Sequence, residues 1–155
     1  MRQPLEVNVY PFRLTADGPS YAIFRRADDG CWQSVAGGVE EGEDLVTAAR
    51  RETAEESGLA AGNPLYQLDM ISGVDRTCFA ASRYWPANLY IVPVHYFAMD
   101  ATRDPAPVVL SDEHSEFRWA PYPDAAATLR YDDDKTALWE LDARLRADDL
   151  PVALP

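Results

Sequence analysis

Cysteine is scarce in this chain, with only Cys31 and Cys78 among 155 residues. Their separation forms neither a CxxC pair nor a metal-ligand spacing, so neither a zinc site nor a disulfide-stapled scaffold is indicated. Long apolar runs are missing as well. None approaches the ~20 residues that a membrane-spanning helix needs, because Arg, Asp or Pro interrupts each one. The N-terminus shows no charged segment followed by an apolar run, so no export signal is expected. These absences suggest a cytoplasmic protein with free thiols and no membrane partner. Basic residues are few too, with Lys and Arg numbering 14 against 26 Asp and Glu, for a formal charge of −12. Capture of a nucleic-acid polymer relies on clustered Lys and Arg, so DNA and RNA polymers are not expected partners. A small phosphorylated substrate is compatible with this charge if divalent cations and a few arginines reverse the sign locally.

The hydrophobic content, 47%, is enough to bury a core, and residues 1–155 are expected to form a single domain. Leu5 to Leu14 and Tyr21 to Arg26 are rich in β-formers around the turn-like Ala16-Asp17-Gly18-Pro19-Ser20, which predicts a hairpin. Cys31 to Val35 reads as a short strand leading into the glycine pair Gly37-Gly38, and a glycine-containing loop with Glu40, Glu41, Gly42 and Glu43 follows. From Asp44 to Ser57 the chain becomes rich in Leu, Ala, Arg and Glu without Pro or Gly, as a helix interior prefers, and Gly58 supplies the stop. Strands are expected at Leu65 to Ile71, Leu89 to Met99 and Glu116 to Trp119. Pro93 marks an edge position or a bulge in the second of these. A short helix is expected from Asp124 to Leu129 and a longer one from Asp133 to Arg146. In the longer helix Ala137, Leu138, Leu141 and Leu145 share one side. The fold class is α/β (α+β), a mixed sheet sandwiched between helices.

The chemistry concentrates after Gly37. On a helix, Glu52, Glu55 and Glu56 stand at i, i+3 and i+4 and share an arc of roughly 100°. Like charges so close are destabilising and raise a pKa unless a cation intervenes, and Mg²⁺ takes a few carboxylates while keeping waters and phosphates in its shell. Val46, Ala49 and Thr53 occupy an adjacent face suited to packing on a sheet. Arg51 lies outside that face, where an ion pair with Glu43 would tie the preceding loop to the helix. Three glutamates with arginine neighbours more often form a solvated helix face, and it is the longer string that changes the reading.

Gly37, Glu43, Arg51, Glu52, Glu55, Glu56, Gly58 and Leu59 occupy the fixed positions of a known pattern. It consists of Gly, five residues, Glu, seven residues, Arg-Glu, two residues, Glu-Glu, one residue, Gly and an apolar residue. The stretch resembles the Nudix box, and the chain is identified as a member of the Nudix hydrolase family. Two departures are Thr53, where the family usually has Leu, Ile or Val, and Val35-Ala36, where many members carry Pro-Gly. The resemblance implies cleavage of a phosphoanhydride bond with Mg²⁺, or Mn²⁺ in its place. Glu52, Glu55 and Glu56 would be metal ligands, assisted by the Ala36 carbonyl, with Arg51 and Glu43 in support.

Trp32-Gln33-Ser34-Val35, Arg25-Arg26, Arg83-Tyr84 and Glu113-His114 followed by Trp119 are similar to the dihydroneopterin triphosphate pyrophosphatase (dATP pyrophosphohydrolase) branch. That likeness implies a further metal ligand at Glu113 and a phosphate contact at Arg25. It also implies ring stacking by Trp32, Tyr84 or Trp85, and substrate contacts at Arg83, Gly37 and Gly38. The segment from Thr77 to Leu89 does not follow that branch, so the substrate stays open. A nucleoside or pterin triphosphate is the first expectation, a dinucleoside polyphosphate or nucleotide sugar the second, and a non-catalytic nucleotide-sensing module the third. Many relatives dimerise, so a homodimer is admissible, although no stretch identifies an interface. His95 and His114 form no metal pair or triad, and His95 is expected in the core or a pocket.

Overall fold

In a computed structural model that describes residues 1–155, the first strand, β1 (Arg2–Thr15), is the hub of the sheet. Its residues 6–12 are buried without a break because successive side chains enter opposite layers. Val7 and Val9 pack in the layer that receives α1 (Leu45–Ser57), whereas Tyr10 and Phe12 pack under α2 (Tyr122–Thr128) and α3 (Asp132–Arg146).

β1 pairs antiparallel with β2 (Gly18–Arg26) and with β4 (Val35–Glu40), and parallel with β6 (Ile91–Asp100). β5 (Leu65–Asp75) adds to β6, while β3 (Trp32–Gln33) and β7 (His114–Ala120) add to β2. The result is a seven-stranded mixed sheet with helices on both faces, the architecture expected from the sequence. No helix is long and apolar enough to cross a membrane.

Helix α1 has a clear start and stop. The Asp44 side chain accepts from the Thr47 amide at 2.7 Å, a cap worth about 1 kcal/mol. Gly58, at φ 72°, closes the helix with its N–H on the Ala54 carbonyl. Ala48, Ala49 and Thr53 are buried against the sheet, and the Thr53 hydroxyl donates to the Ala49 carbonyl at 2.7 Å. That bond explains how a threonine stands at an otherwise aliphatic box position without leaving a polar atom unpaired.

Two expectations need correction. The strand expected to end at Val35 instead resumes there as β4 and runs through the glycine pair, which lies opposite Val7 and Glu6 of β1. The space a Cβ would fill holds the Glu52 carboxyl behind Gly37 and the Arg2 guanidinium behind Gly38. Leu89 falls outside β6 because its amide turns back to the Pro86 carbonyl at 3.1 Å. Pro93 keeps the expected edge position locally: the β1 ladder begins one residue later, at Glu6 opposite Val94, so Pro93 has only β5 as a strand neighbour. The irregularity in this part of the sheet is in β5, where the register slips between Gln67 and Ile71. There the amides of Asp69 and Met70 donate to the Glu140 carboxylate of α3 at 2.6 and 2.9 Å. A helix side chain thus satisfies backbone groups that the ladder leaves free.

Between β5 and β6 two 3₁₀ turns, Arg76–Cys78 and Ala80–Tyr84, form a compact strap. The Arg76 guanidinium donates to the carbonyls of Ser82, Pro86 and Leu89 and so holds the strap closed.

Candidate active site

The site forms where α1 runs beneath β4. Arg51 is its organiser: the guanidinium reaches both Glu43 oxygens at 2.8 Å, the Gly38 carbonyl at 2.9 Å, Glu52 at 2.8 Å and Glu55 at 3.3 Å. A planar fork of five N–H donors suits this task, and a lysine could not reproduce it. Glu43 also accepts from the Glu40 amide at 2.9 Å, and these bonds, Arg51's foremost, hold its carboxyl below the ordinary glutamate range. For Glu52, burial in the hollow behind Gly37 raises the pKa against the opposing pull of Arg51.

Glu56 is the most enclosed carboxylate, at 1% exposure. One oxygen accepts from the Ala36 amide at 3.3 Å, and the other, Oε1, is buried with no partner. Burial pushes its pKa up to about 9, with the neighbouring charges of Glu113 and Glu52 adding to the shift. His114, near-fully buried in β7, places Nδ1 3.8 Å from the Glu56 carboxylate. Burial lowers the imidazole pKa, so His114 stands beside Glu56 as a neutral ring.

These donors are gathered without closing into a cage, since no three His, Cys, Asp or Glu groups converge on one point. The unpartnered Glu56 oxygen nevertheless suits a hard cation. An ionised carboxylate buried with an empty lone-pair site is costly, and an oxygen-seeking divalent ion relieves both the desolvation and the repulsion.

Beside the carboxylates lies a cavity of about 360 Å³ lined by Arg26, Gln33, Ala36, Glu113 and His114 among others. A second cavity of about 330 Å³ shares Arg26, Gln33 and Ala36 with it and extends under α3, so the two form one cleft. Arg51 thus links Gly38, Glu43, Glu52 and Glu55, Glu52 fills the space behind Gly37, and Glu56 meets Ala36 with Glu113 nearby, without these groups converging on one point.

The structure does not bring Arg25, Trp32, Arg83, Tyr84 or Trp85 to the cleft. Strand alternation turns Arg25 away, toward Glu116 at 3.8 Å and the Gly30 carbonyl at 3.3 Å, and Arg26 lines the cleft instead. Trp32 lies under the Arg118 guanidinium at 4.5 Å, and its neighbour Gln33 reaches the cavities. Arg83 stacks on Tyr84 at 4.8 Å on the outside of the strap, with Tyr84 60% exposed. The buried Trp85 donates its indole N–H to the Arg2 carbonyl at 2.8 Å. From the strap, Cys78 and Phe79 reach the cleft.

Sequence reasoning did not single out Asn8, Tyr96, Tyr131 or Asp134 on the α3 side, or assign roles to Gln33 and His114. The run Asp132-Asp133-Asp134 carried a weak signal. Acidic residues in a first helical turn are ordinary complements to the helix dipole, and the burial of one of them depends on distant strands.

Comparison with known proteins agrees with this geometry. A NUDIX domain family model matches residues 6–139. A Listeria monocytogenes protein described as a NUDIX hydrolase superposes with a TM-score of 0.87 at 37% identity, covering 97% of this chain and 99% of that one. The E. coli dihydroneopterin triphosphate pyrophosphohydrolase shares the fold, with a TM-score of 0.70 at 23% identity over 92% of this chain and 97% of that one. The bis(5'-nucleosyl)-tetraphosphatase of Mus musculus is 30% identical over 120 residues, 76% of each chain. The octanoyltransferase of Myxococcus xanthus is 37% identical over 102 residues, 66% of this chain, but the match spans 26% of that protein's length. With the family model reaching from β1 into α3 and the box carboxylates gathered under β4, the chain belongs to the Nudix family and is a Nudix hydrolase.

Proposed function

We propose that the chain hydrolyses a phosphoanhydride bond in a nucleoside or pterin triphosphate, releasing pyrophosphate and a monophosphate. The observation that carries this reading is the buried Glu56 carboxylate with an unpartnered oxygen, set with Glu52 and Glu113 beside a cleft. Glu52, Glu55, Glu56 and Glu113, with the Ala36 carbonyl, are the groups that would hold Mg²⁺ or Mn²⁺. A divalent ion so held supplies neutralisation of phosphate oxygens and orientation of the bond to be cleaved.

The chain's own residues do the rest. Arg51 fixes Glu43, Glu52, Glu55 and the β4 backbone in one rigid unit, so the carboxylates need little reorganisation during reaction. The water attacking phosphorus gives its proton to a carboxylate oxygen of Glu52, Glu55 or Glu113. Arg26 stands at the neck of the cleft, where Asp28 holds its guanidinium at 2.5 and 2.9 Å and Asp29 lies 3.6 Å away, so its charge is met by neighbouring carboxylates. The free thiols of Cys31 and Cys78 fit a reducing compartment such as the cytoplasm.

A dinucleoside polyphosphate is the second reading, favoured by the likeness to the bis(5'-nucleosyl)-tetraphosphatase. Hydrolysis of a panel of nucleoside triphosphates, dihydroneopterin triphosphate, dinucleoside polyphosphates and nucleotide sugars, with Mg²⁺ and with EDTA, tests both. Metal-dependent pyrophosphate release from triphosphates is the expected result. Turnover confined to dinucleoside polyphosphates selects the second reading, and binding without turnover makes the chain a sensor module.

A further inference from the structure

The connection from β6 to β7, residues 101–113, contains no helix or strand, yet it is anchored along its length. Burial alternates within it: Asp104, Ala106, Val108 and Leu110 are half-buried, whereas Pro105, Pro107 and Val109 are exposed. A period of two belongs to an extended backbone. The two prolines suit such a segment outside a sheet, since each fixes φ and brings no N–H that would need a partner. The segment is thus a stiff brace rather than a slack loop, and its tip is Glu113.

The brace is fastened chiefly to the end of α1. The Asp104 carboxylate accepts from the Ala60 amide at 2.9 Å and the Asn63 side chain at 2.8 Å, both just beyond the Gly58 stop, and from the Ala106 amide at 2.9 Å. The Val109 amide donates to the Ser57 carbonyl at 2.8 Å, a last-turn acceptor that the helix leaves free. Val108 and Leu110 pack into the layer that holds α1, and a Cβ on Gly58 would stand 3.3 Å from that of Val109. From β1, Arg13 donates to the carbonyls of Ala101, Asp104 and Ala106 while its guanidinium lies on Trp119 at 4.4 Å. At the tip, the Glu113 carbonyl accepts from the Ala27 amide at 2.9 Å, and its side chain stands close enough to Glu56 for its charge to be felt there.

We infer that Asp104 is a positioning residue, which through the brace holds Glu113 at a set place beside the α1 carboxylates. Glu52, Glu55 and Glu56 ride on the helix whose end the brace is registered on, so the four carboxylates keep their arrangement as one body. A group fixed in advance leaves a metal no chain to order, whereas a group on a slack loop loses conformational freedom when it binds. The inference rests on the proposed hydrolase reading, in which Glu113 helps to hold a divalent ion, and its test is read in binding rather than turnover.

The test is a double-mutant cycle on Mn²⁺ affinity, read from the electron paramagnetic resonance of the free ion with the full chain and no substrate. Asp104→Ala is expected to weaken Mn²⁺ binding about tenfold, the scale of a lost outer partner of a metal ligand. In a Glu113→Gln background the same change should alter affinity by less than about twofold, because the group it positions is already gone. Pro107→Gly, which keeps every anchor and slackens the brace, should show the same pattern, and it stands in for Asp104→Ala if that variant does not melt cooperatively. Equal losses in both backgrounds would mean that Asp104 only stabilises the fold, and no loss in either that Glu113 finds its place unaided; each overturns the inference. Affinity unmoved by Glu113→Gln alone also overturns it, while leaving the helix carboxylates as metal holders. No Mn²⁺ binding by the wild type would sink the metal reading and this inference together. The hydrolysis panel is read separately, so silence there with the coupling present counts against the hydrolase reading alone.

Discussion

The two halves of the cleft are built in opposite ways. The carboxylate half comes almost entirely from one continuous stretch, residues 36–56, in which a strand and the following helix are locked together by Arg51. The half under α3 is assembled from Asn8, Gln33, Phe79, Tyr96, Tyr131 and Asp134, drawn from strands, a strap and a helix spread over the chain. Local assembly fixes a reaction through spacing alone, whereas dispersed assembly fixes a ligand through packing. Substitutions in the first half should strike turnover, and those in the second should strike choice of ligand.

Glu56→Gln offers the sharpest contrast. The amide keeps the volume and the uncharged character that a pKa of about 9 gives this carboxyl near neutral pH, and it can still accept from the Ala36 N–H, so the melting temperature should hold. The rate should fall by on the order of 10³, and near-normal kcat would remove Glu56 from the metal-binding group.

Next in size is Gly37→Ala. An added methyl meets the Glu52 carboxyl, which has to leave its hollow. Overpacking of this kind costs about 1–3 kcal/mol, and a displaced catalytic group loses up to about 10²-fold in kcat. An alanine variant with wild-type melting and kinetics would show that Glu52 does not need the glycine.

A smaller effect separates the halves by pH. Burial raises the folded pKa of Asp134 to about 7, whereas an unfolded aspartate titrates near ~3.9, so the native state holds this proton more tightly. That contribution to stability is present at low pH and is lost as pH rises through about 7. The melting temperature of the wild type relative to Asp134→Asn should therefore decline between about pH 5 and about pH 8, by a few degrees. A parallel pair of melting curves against pH would mean that Asp134 titrates normally.

Arg25→Ala should do least, leaving stability within about 0.5 kcal/mol and KM within about twofold. A large rise in KM would restore Arg25 as a phosphate contact and contradict its position beside Glu116.

This difference in assembly also explains what could be read from the sequence. The helix from its Asp44 cap to Gly58, the three glutamates and the Arg51 to Glu43 pair are set by spacings within one segment, and a 3.6-residue period is enough to see them. Arg25 and Trp32 show where that method ends. Adjacent strand residues face opposite sides, so a one-residue choice decides between Arg25 and Arg26, and between Trp32 and Gln33, and local composition does not make it. Asp134 was hidden for another reason. Its place in the cleft wall depends on Asn8 and Tyr96, 126 and 38 residues away, meeting it through the β1 to β6 pairing.

The alternation of β1 bears on how such a protein can change over generations. Asn8 lines the cavity under α3 while its neighbours Val7 and Val9 pack in the layer that holds α1. A mutation at position 8 can alter which molecule is accepted without touching the layer that holds α1. A mutation at 7 or 9 disturbs that layer and leaves the choice of molecule alone. The strand insulates the two traits from each other, so lineages can explore new substrates one residue at a time while the bond-breaking apparatus stays under separate selection.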